Sequence, residues 1–195
     1  MDHALPGVIN GIDLATLSDV VAAIRSDPAT ARVGFRVTTH WSGRTRSESV
    51  IEAYEMAGER IERRFKIVAD EPEELLGTNS APNPQELLMS ALNACMTVGY
   101  VAQAAVRGIA LDRLEIETTG QLDLRGFLGL DDSVPAGYRQ LDYTVRIGGN
   151  GSIEQFRDIH EAVMKTSPNF FNLAQPIFMN ARIEVLTADS GVGVS

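Results

Sequence analysis

Asn79-Ser80-Ala81-Pro82-Asn83-Pro84-Gln85-Glu86-Leu87-Leu88-Met89-Ser90-Ala91-Leu92-Asn93-Ala94-Cys95-Met96 is the stretch on which the reading of this chain turns. It opens a helix. Asn83 is a capping residue, and Pro84 suits the first helical position because a missing N–H costs nothing there. Glu86 stands three residues after the cap, where its carboxylate can reach back. The helix is predicted to run from about 84 to 107, about 36 Å at 1.5 Å per residue. Arg107 and Gly108 mark its end. Leu87, Leu88, Ala91, Leu92, Ala94, Cys95, Val98, Val101, Ala102, Ala105 and Val106 recur on more than one side, which predicts a central helix buried on two faces. Ala91, Ala94, Ala102 and Ala105 are small enough for another helix backbone to approach.

Outward from this helix the pattern is mixed. Leu14, Leu17, Val20, Val21 and Ile24 form one stripe of an amphipathic helix over 13–26, stopped near Pro28. Strands are expected at about 32–41, 46–55 and 60–69, with turns at Ser42-Gly43 and Ala57-Gly58, giving an antiparallel meander. After the long helix, Leu114, Ile116 and Thr118 alternate with charged residues in a strand reaching about 124, and a second strand is expected over 138–147. The loop 126–137 is rich in turn formers yet carries Phe127, Leu128 and Leu130; a lid and an ordinary local excursion are both open readings. Ser152 with Gln155 predicts a capping box for the next helix. Pro168 breaks that helix, Thr166 or Ser167 caps a short segment through Leu173, and a final strand is expected over about 178–187. The organisation is an N-terminal helical extension (1–30), one α+β domain (31–187) and a flexible tail (188–195).

The 195 residues are 44% hydrophobic and 22% charged, enough for a sizeable core. A net charge of −9 and a pI near 4.8 argue against a phosphate-backbone partner, so no nucleic acid is expected. The basic run Arg60-Ile61-Glu62-Arg63-Arg64-Phe65-Lys66 reads instead as the solvated face of a strand. A lone cysteine excludes a disulfide framework and a zinc-type cluster and fits a reducing, cytoplasmic compartment. No apolar run approaches the roughly 18 residues of a membrane span, so no membrane partner is expected. No metal-binding or nucleotide-binding fingerprint occurs, so no cofactor or metal is expected.

Cys95 is the candidate nucleophile. A single thiol cannot close a disulfide in its own subunit, so redox chemistry must stop at a sulfenate, use an outside thiol, or cross between chains. The competing reading is an inert small hydrophobe on a helix. Ser167 as a hydrolase nucleophile needs a base; His160 lies seven residues away, about 10 Å along the axis, and no Gly-x-Ser-x-Gly elbow occurs. His160 reads as a core or interface histidine.

The Asn-Pro opening leading to Ala94-Cys95 resembles the central helix of the OsmC and organic-hydroperoxide-resistance superfamily. Lys165-Thr166-Ser167-Pro168 is similar to the segment where those peroxidases carry a second cysteine; here that position is Ser167. The resemblance covers roughly residues 31–187. It implies an OsmC-like fold, with antiparallel sheet segments around the long helix, and an intertwined homodimer whose two sites are built from both chains. It also implies an arginine beside the thiolate. Arg44 or Arg46, in Trp41-Ser42-Gly43-Arg44-Thr45-Arg46, occupies that place, and solvated turn arginines are the plain alternative. A glutamate orients the arginine in the family, but Gln85 follows Pro84 here. Glu86, one residue on, is turned by about 100°, which favours simple capping. Two function classes remain. One is a one-cysteine peroxidase acting on organic hydroperoxides with an external thiol reductant. The other is a non-catalytic binder of a small hydrophobic ligand at the dimer interface.

Overall fold

A computed structural model describes residues 7–186. The expected tail from 188 onward lies outside the described residues. The chain opens with a small hairpin, β1 (Val8–Ile9) and β2 (Ile12–Asp13), leading into α1 (Leu14–Ser26). Asp13 caps α1 by accepting from the amides of Ala15 and Thr16. Of the predicted stripe only Leu14 is fully buried, and Val20 and Val21 remain exposed.

The expected strand over 32–41 is divided into β3 (Val33–Phe35) and β4 (Thr38–Trp41). Both pair antiparallel with the same edge of β5 (Ser47–Met56), and β6 (Glu59–Ala69) pairs with its other edge. The Ala57-Gly58 turn has φ of +52° and +84°, two left-handed residues in a row, as the twist of a two-residue hairpin demands. This sheet touches the rest of the chain only slightly. Phe35, Trp41 and Phe65 lie open to solvent, Trp41 at 78% exposure. The basic run sits on β6: Arg60 pairs with Glu62, Lys66 with Glu48, and Arg63 stacks over Tyr54 and Phe65.

The long helix, α2 (Pro84–Val106), begins and ends as predicted. Asn83 and Glu86 close the capping box at 2.8 Å in both directions, and Gly108 follows the end with φ +72°. β7 (Leu111–Gly120) and β8 (Leu141–Gly149) form an antiparallel pair whose inner residues, among them Leu114, Ile116, Tyr143 and Val145, pack on the core. Their outer face carries an ion-pair ladder, with Arg146 reaching Glu115 at 2.6 Å and Glu117 at 2.8 Å. β7 stops at Gly120 instead of 124. Asp123 turns the chain into α3 (Leu124–Phe127), capping it through the Arg125 amide. Gly126 is required there because a Cβ would meet the Pro135 carbonyl oxygen at 2.2 Å.

α4 (Ile153–Thr166) and α5 (Pro168–Ala174) complete the structure, with the Ser152–Gln155 capping box as expected. The core gathers Leu92, Met96, Tyr100 and Ala104 of α2, Ile109, and Ile159 and Val163 of α4. Each large side chain there contributes roughly 1.5–3 kcal/mol through removal from water. Gly99 lets α2 and α4 approach; a Cβ would lie 3.2 Å from Val163 Cγ1.

Three further expectations are corrected. Within one chain α2 is buried on one face only: Val98 is 69% exposed, and Leu88, Ala91 and Ala94 are open. Pro84–Val106 is, by length and composition alone, apolar enough to cross a membrane, against the expectation that no segment is; its buried face packs on α4 and β7 as a core helix does. Residues 178–186 form no strand, although Met179, Ala181, Ile183 and Val185 alternate with polar residues; their backbone pairs with no neighbour among the described residues, and residue 187 lies outside them.

Candidate active site

Cys95 lies one helical turn beyond the buried Leu92 and is half-buried. Ser167 comes to it from the α4–α5 junction. Its backbone ends α4, its hydroxyl oxygen accepts the Phe170 amide to start α5, and the same hydroxyl donates to Cys95 Sγ at 3.3 Å. Ser167 is 5% exposed. Asn169 Nδ2 donates to the Ala91 carbonyl at 2.8 Å and fastens α5 to α2. Two residues separated by 72 positions are therefore joined by geometry that leaves little freedom. An O–H donor on sulfur strengthens as negative charge gathers there.

An apolar cavity of about 390 Å³ is lined by Leu92 and Phe170, three residues before Cys95 and three after Ser167, but by neither Cys95 nor Ser167 itself. Leu88 and Leu92 of α2, Phe170 and Leu173 of α5, and Leu141 and Tyr143 of β8 form its walls, with Gln85 and Arg139 as polar groups at its margin. The loop before β8 holds itself together locally: Asp131 accepts from the Ser133 hydroxyl at 2.6 Å and Arg125 pairs with Asp123 at 2.5 Å. That matches the local-excursion reading more than a lid.

The other predicted residues are not brought to Cys95. Arg46 pairs with Glu48 at 2.9 Å and donates to Ser42 Oγ at 3.0 Å. This pairing, followed by Lys66, holds the Glu48 carboxyl below its usual range. Arg44 occupies a left-handed turn position, φ +49°, and its side chain has no hydrogen-bond or ion-pair partner among the described residues. Neither arginine hydrogen-bonds to Cys95 within the chain. Glu86 is engaged in the capping box, and Gln85 is the residue that faces the cavity. His160 bonds Tyr100 through Nδ1 and not Ser167, so no base is assembled for a serine nucleophile.

Sequence reasoning missed the knot at Asp70. This carboxylate, 1% exposed, accepts from the hydroxyls of Thr45, Thr78 and Ser80 and from the amides of Glu71, Thr78 and Ser80. The Thr78 hydroxyl is the chief reason its pKa lies well below the usual carboxylate range. Next to it, Glu71 Oε2 is buried without a hydrogen-bond partner among the described residues, and burial, then the charges of Asp70 and Glu86, push its carboxyl up. The clustered Thr78 and Ser80 after a strand-ending Asp70 were the available signal.

A two-stranded sheet carrying α2 and α4 on one face, with a helix-borne thiol met by a serine at a helix junction, defines an α+β protein built around one cysteine. The chain belongs to the OsmC-like protein family, whose model matches residues 77–182. Among solved structures it is similar to the OsmC-like protein of Mycoplasma pneumoniae, at 18% identity over 73% of this chain and 88% of that one, TM-score 0.58. It is also similar to a Psychrobacter arcticus protein named for osmotic stress and a detoxification response, at 15% identity over 69% and 84%, TM-score 0.52. An OsmC-like hydroperoxide resistance protein from Jannaschia aligns at 20% identity over 78% and 93%, TM-score 0.43. The first two likenesses show the fold. None of the curated proteins matches the sequence.

Proposed function

We propose that this OsmC-like protein is a one-cysteine thiol peroxidase that reduces organic hydroperoxides in the cytoplasm. The observation that carries the reading is the Cys95–Ser167 contact, one helical turn along α2 and α5 from Leu92 and Phe170 of a cavity lined by leucines and aromatic rings. The Cys95 thiolate attacks the distal oxygen of ROOH and the O–O bond breaks. The alkoxide leaves and takes a proton from solvent to become ROH, and sulfur is oxidised by two electrons to the sulfenic acid. Ser167 cannot resolve that species, because a hydroxyl forms no disulfide. A small external thiol condenses with the sulfenic acid, releasing water, and a second thiol frees Cys95 as the external disulfide departs.

The protein acts as an intertwined homodimer in this reading. Two surfaces support it: the open second face of α2 and the N-terminal sheet with Phe35, Trp41 and Phe65 uncovered. A second copy laid across them also carries an arginine toward each thiol. Arg44 is the better candidate, since Arg46 is already neutralised by Glu48.

A non-catalytic binder of a small apolar ligand is the second reading, favoured by the absence of any bond from Arg44 or Arg46 to Cys95 within the chain. Intact-mass analysis with a sulfenate trap separates the two. Brief exposure to stoichiometric cumene hydroperoxide should label wild type and not Cys95→Ser, faster than hydrogen peroxide does. A thiol unmodified after prolonged exposure rejects the peroxidase and leaves the binder.

A further inference from the structure

A second cleft, separate from Cys95, lies between β8 and α4. It measures about 620 Å³ and is walled by Val145 and Ile147 of β8 and by Ile153 and Phe156 of α4. Its volume falls within the range of small-molecule sites. What distinguishes it from a packing gap is its polar set. Tyr100, Tyr143, Arg157 and His160 all line it.

The chemistry of that set follows from one bond. Tyr100 is fully buried, and its hydroxyl meets His160 Nδ1 at 2.5 Å. Desolvation keeps Tyr100 protonated far above neutral pH. Among the described residues its hydroxyl has His160 as its hydrogen-bond partner, and of the two imidazole tautomers only the one with Nδ1 accepting gives the phenol proton an acceptor, so we assign that one. A neutral imidazole bonded this way carries its proton on Nε2. Nε2–H has no partner among the described residues and is presented on the side of the ring away from Tyr100.

Arg157 sits one turn before His160 on the same face of α4 and makes no hydrogen bond or ion pair among the described residues. Glu154 and Glu161 lie three residues before and four after it, and neither comes within ion-pair distance. The Tyr143 hydroxyl is likewise unbonded, and the Tyr143 ring packs against both His160 and Phe170, separating this cleft from the cavity lined by Leu88 and Leu92. An unpaired guanidinium and a fixed N–H donor at an apolar cleft match a carboxylate on a hydrocarbon tail.

We propose that the β8–α4 cleft binds a small amphipathic carboxylate, its tail among Val145, Ile147, Ile153 and Phe156 and its head on Arg157 and His160 Nε2. This site is independent of the peroxidase reading and needs no Cys95 chemistry.

Calorimetric titration of the full chain with decanoate, beside decanol as the uncharged counterpart, tests it. Decanoate should bind at roughly 10–100 µM, and decanol roughly tenfold more weakly. Arg157→Gln should weaken decanoate roughly tenfold and leave decanol unchanged. Ile153→Trp, which fills the cleft from an exposed position, should abolish binding of both. Cys95→Ser and Leu88→Trp, the latter filling the other cavity, should leave decanoate affinity intact. Equal affinity for decanoate and decanol, indifference to Arg157→Gln, or loss of binding in Leu88→Trp but not in Ile153→Trp would overturn the proposal.

Discussion

Ser167 holds Cys95 from the junction of two helices, its hydroxyl donating to Sγ across 3.3 Å while its oxygen starts α5. The serine is thus within bonding reach of the sulfur without chemistry to exploit it. Ser167→Cys should supply that chemistry. After exposure to a hydroperoxide, the variant's unreduced mass should fall by about 2 Da as a disulfide closes within one chain, and dithiothreitol should restore it. Wild type should show no such loss. If the variant accumulates sulfinic acid instead, the two side chains do not meet in solution as they do here.

The knot at Asp70 makes an acid-sensitivity prediction. Its folded carboxyl is far more acidic than the ordinary value near 3.8, so its stabilising effect is fully present above that pH and is lost as pH falls toward the folded value. Asp70→Asn keeps the shape but replaces one accepting oxygen with a donor facing hydroxyls and amides. Its Tm at pH 7 should fall by more than about 5 °C, and its pH–stability curve below about pH 4 should be flatter than that of wild type. Equal slopes in the two proteins would show that Asp70 is not the group responsible.

Glu71 should behave in the opposite sense. A folded carboxyl pushed above its usual value favours the folded state when protonated, so stability is lost as pH rises from the ordinary glutamate value through the folded one. Removing the charge with Glu71→Gln should raise Tm at neutral pH. The difference from wild type should close near pH 4, where Glu71 is protonated in both states. A variant less stable than wild type at pH 7 would mean that Oε2 acquires a cationic partner in solution.

Ala57 carries a φ of +52° in the β5–β6 turn, a conformation costly for any residue with a Cβ. Its amide donates to the Arg32 carbonyl at 3.0 Å, a bond glycine keeps. Ala57→Gly should stabilise the chain by roughly 0.5–1 kcal/mol in urea denaturation. No change in the denaturation midpoint would indicate that this hairpin is already open in the cooperative unit being measured.

Local signals in the sequence were strong where the chemistry is local. The caps of α2 and α4 were readable because Asn83–Glu86 and Ser152–Gln155 satisfy each other within one turn. The break at Arg36-Val37 was not, since nothing in that dipeptide departs from strand composition. The alternation from Met179 to Val185 reports a two-faced segment but not which strand it joins. Ser167 was found by its position before a proline, yet its contact with Cys95 spans 72 residues, and the Tyr100–His160 bond spans 60. Such pairings depend on how helices cross, which spacing along a chain does not encode. Arg44 and Arg46 could not be told apart in sequence; Glu48 separates them by engaging one.

Asn10 takes both sides of one backbone gap: its side-chain nitrogen donates to the Ile109 carbonyl and its oxygen accepts from the Leu111 amide. The β1–β2 hairpin is therefore fastened at a turn about 100 residues further along the chain. That clasp closes a loop of just over half the 195 residues, among the most entropically demanding closures in the molecule. A nascent chain must emerge past the far end of α2 before Asn10 has anywhere to attach, so the β1–β2 hairpin settles only once the helix it clasps is complete.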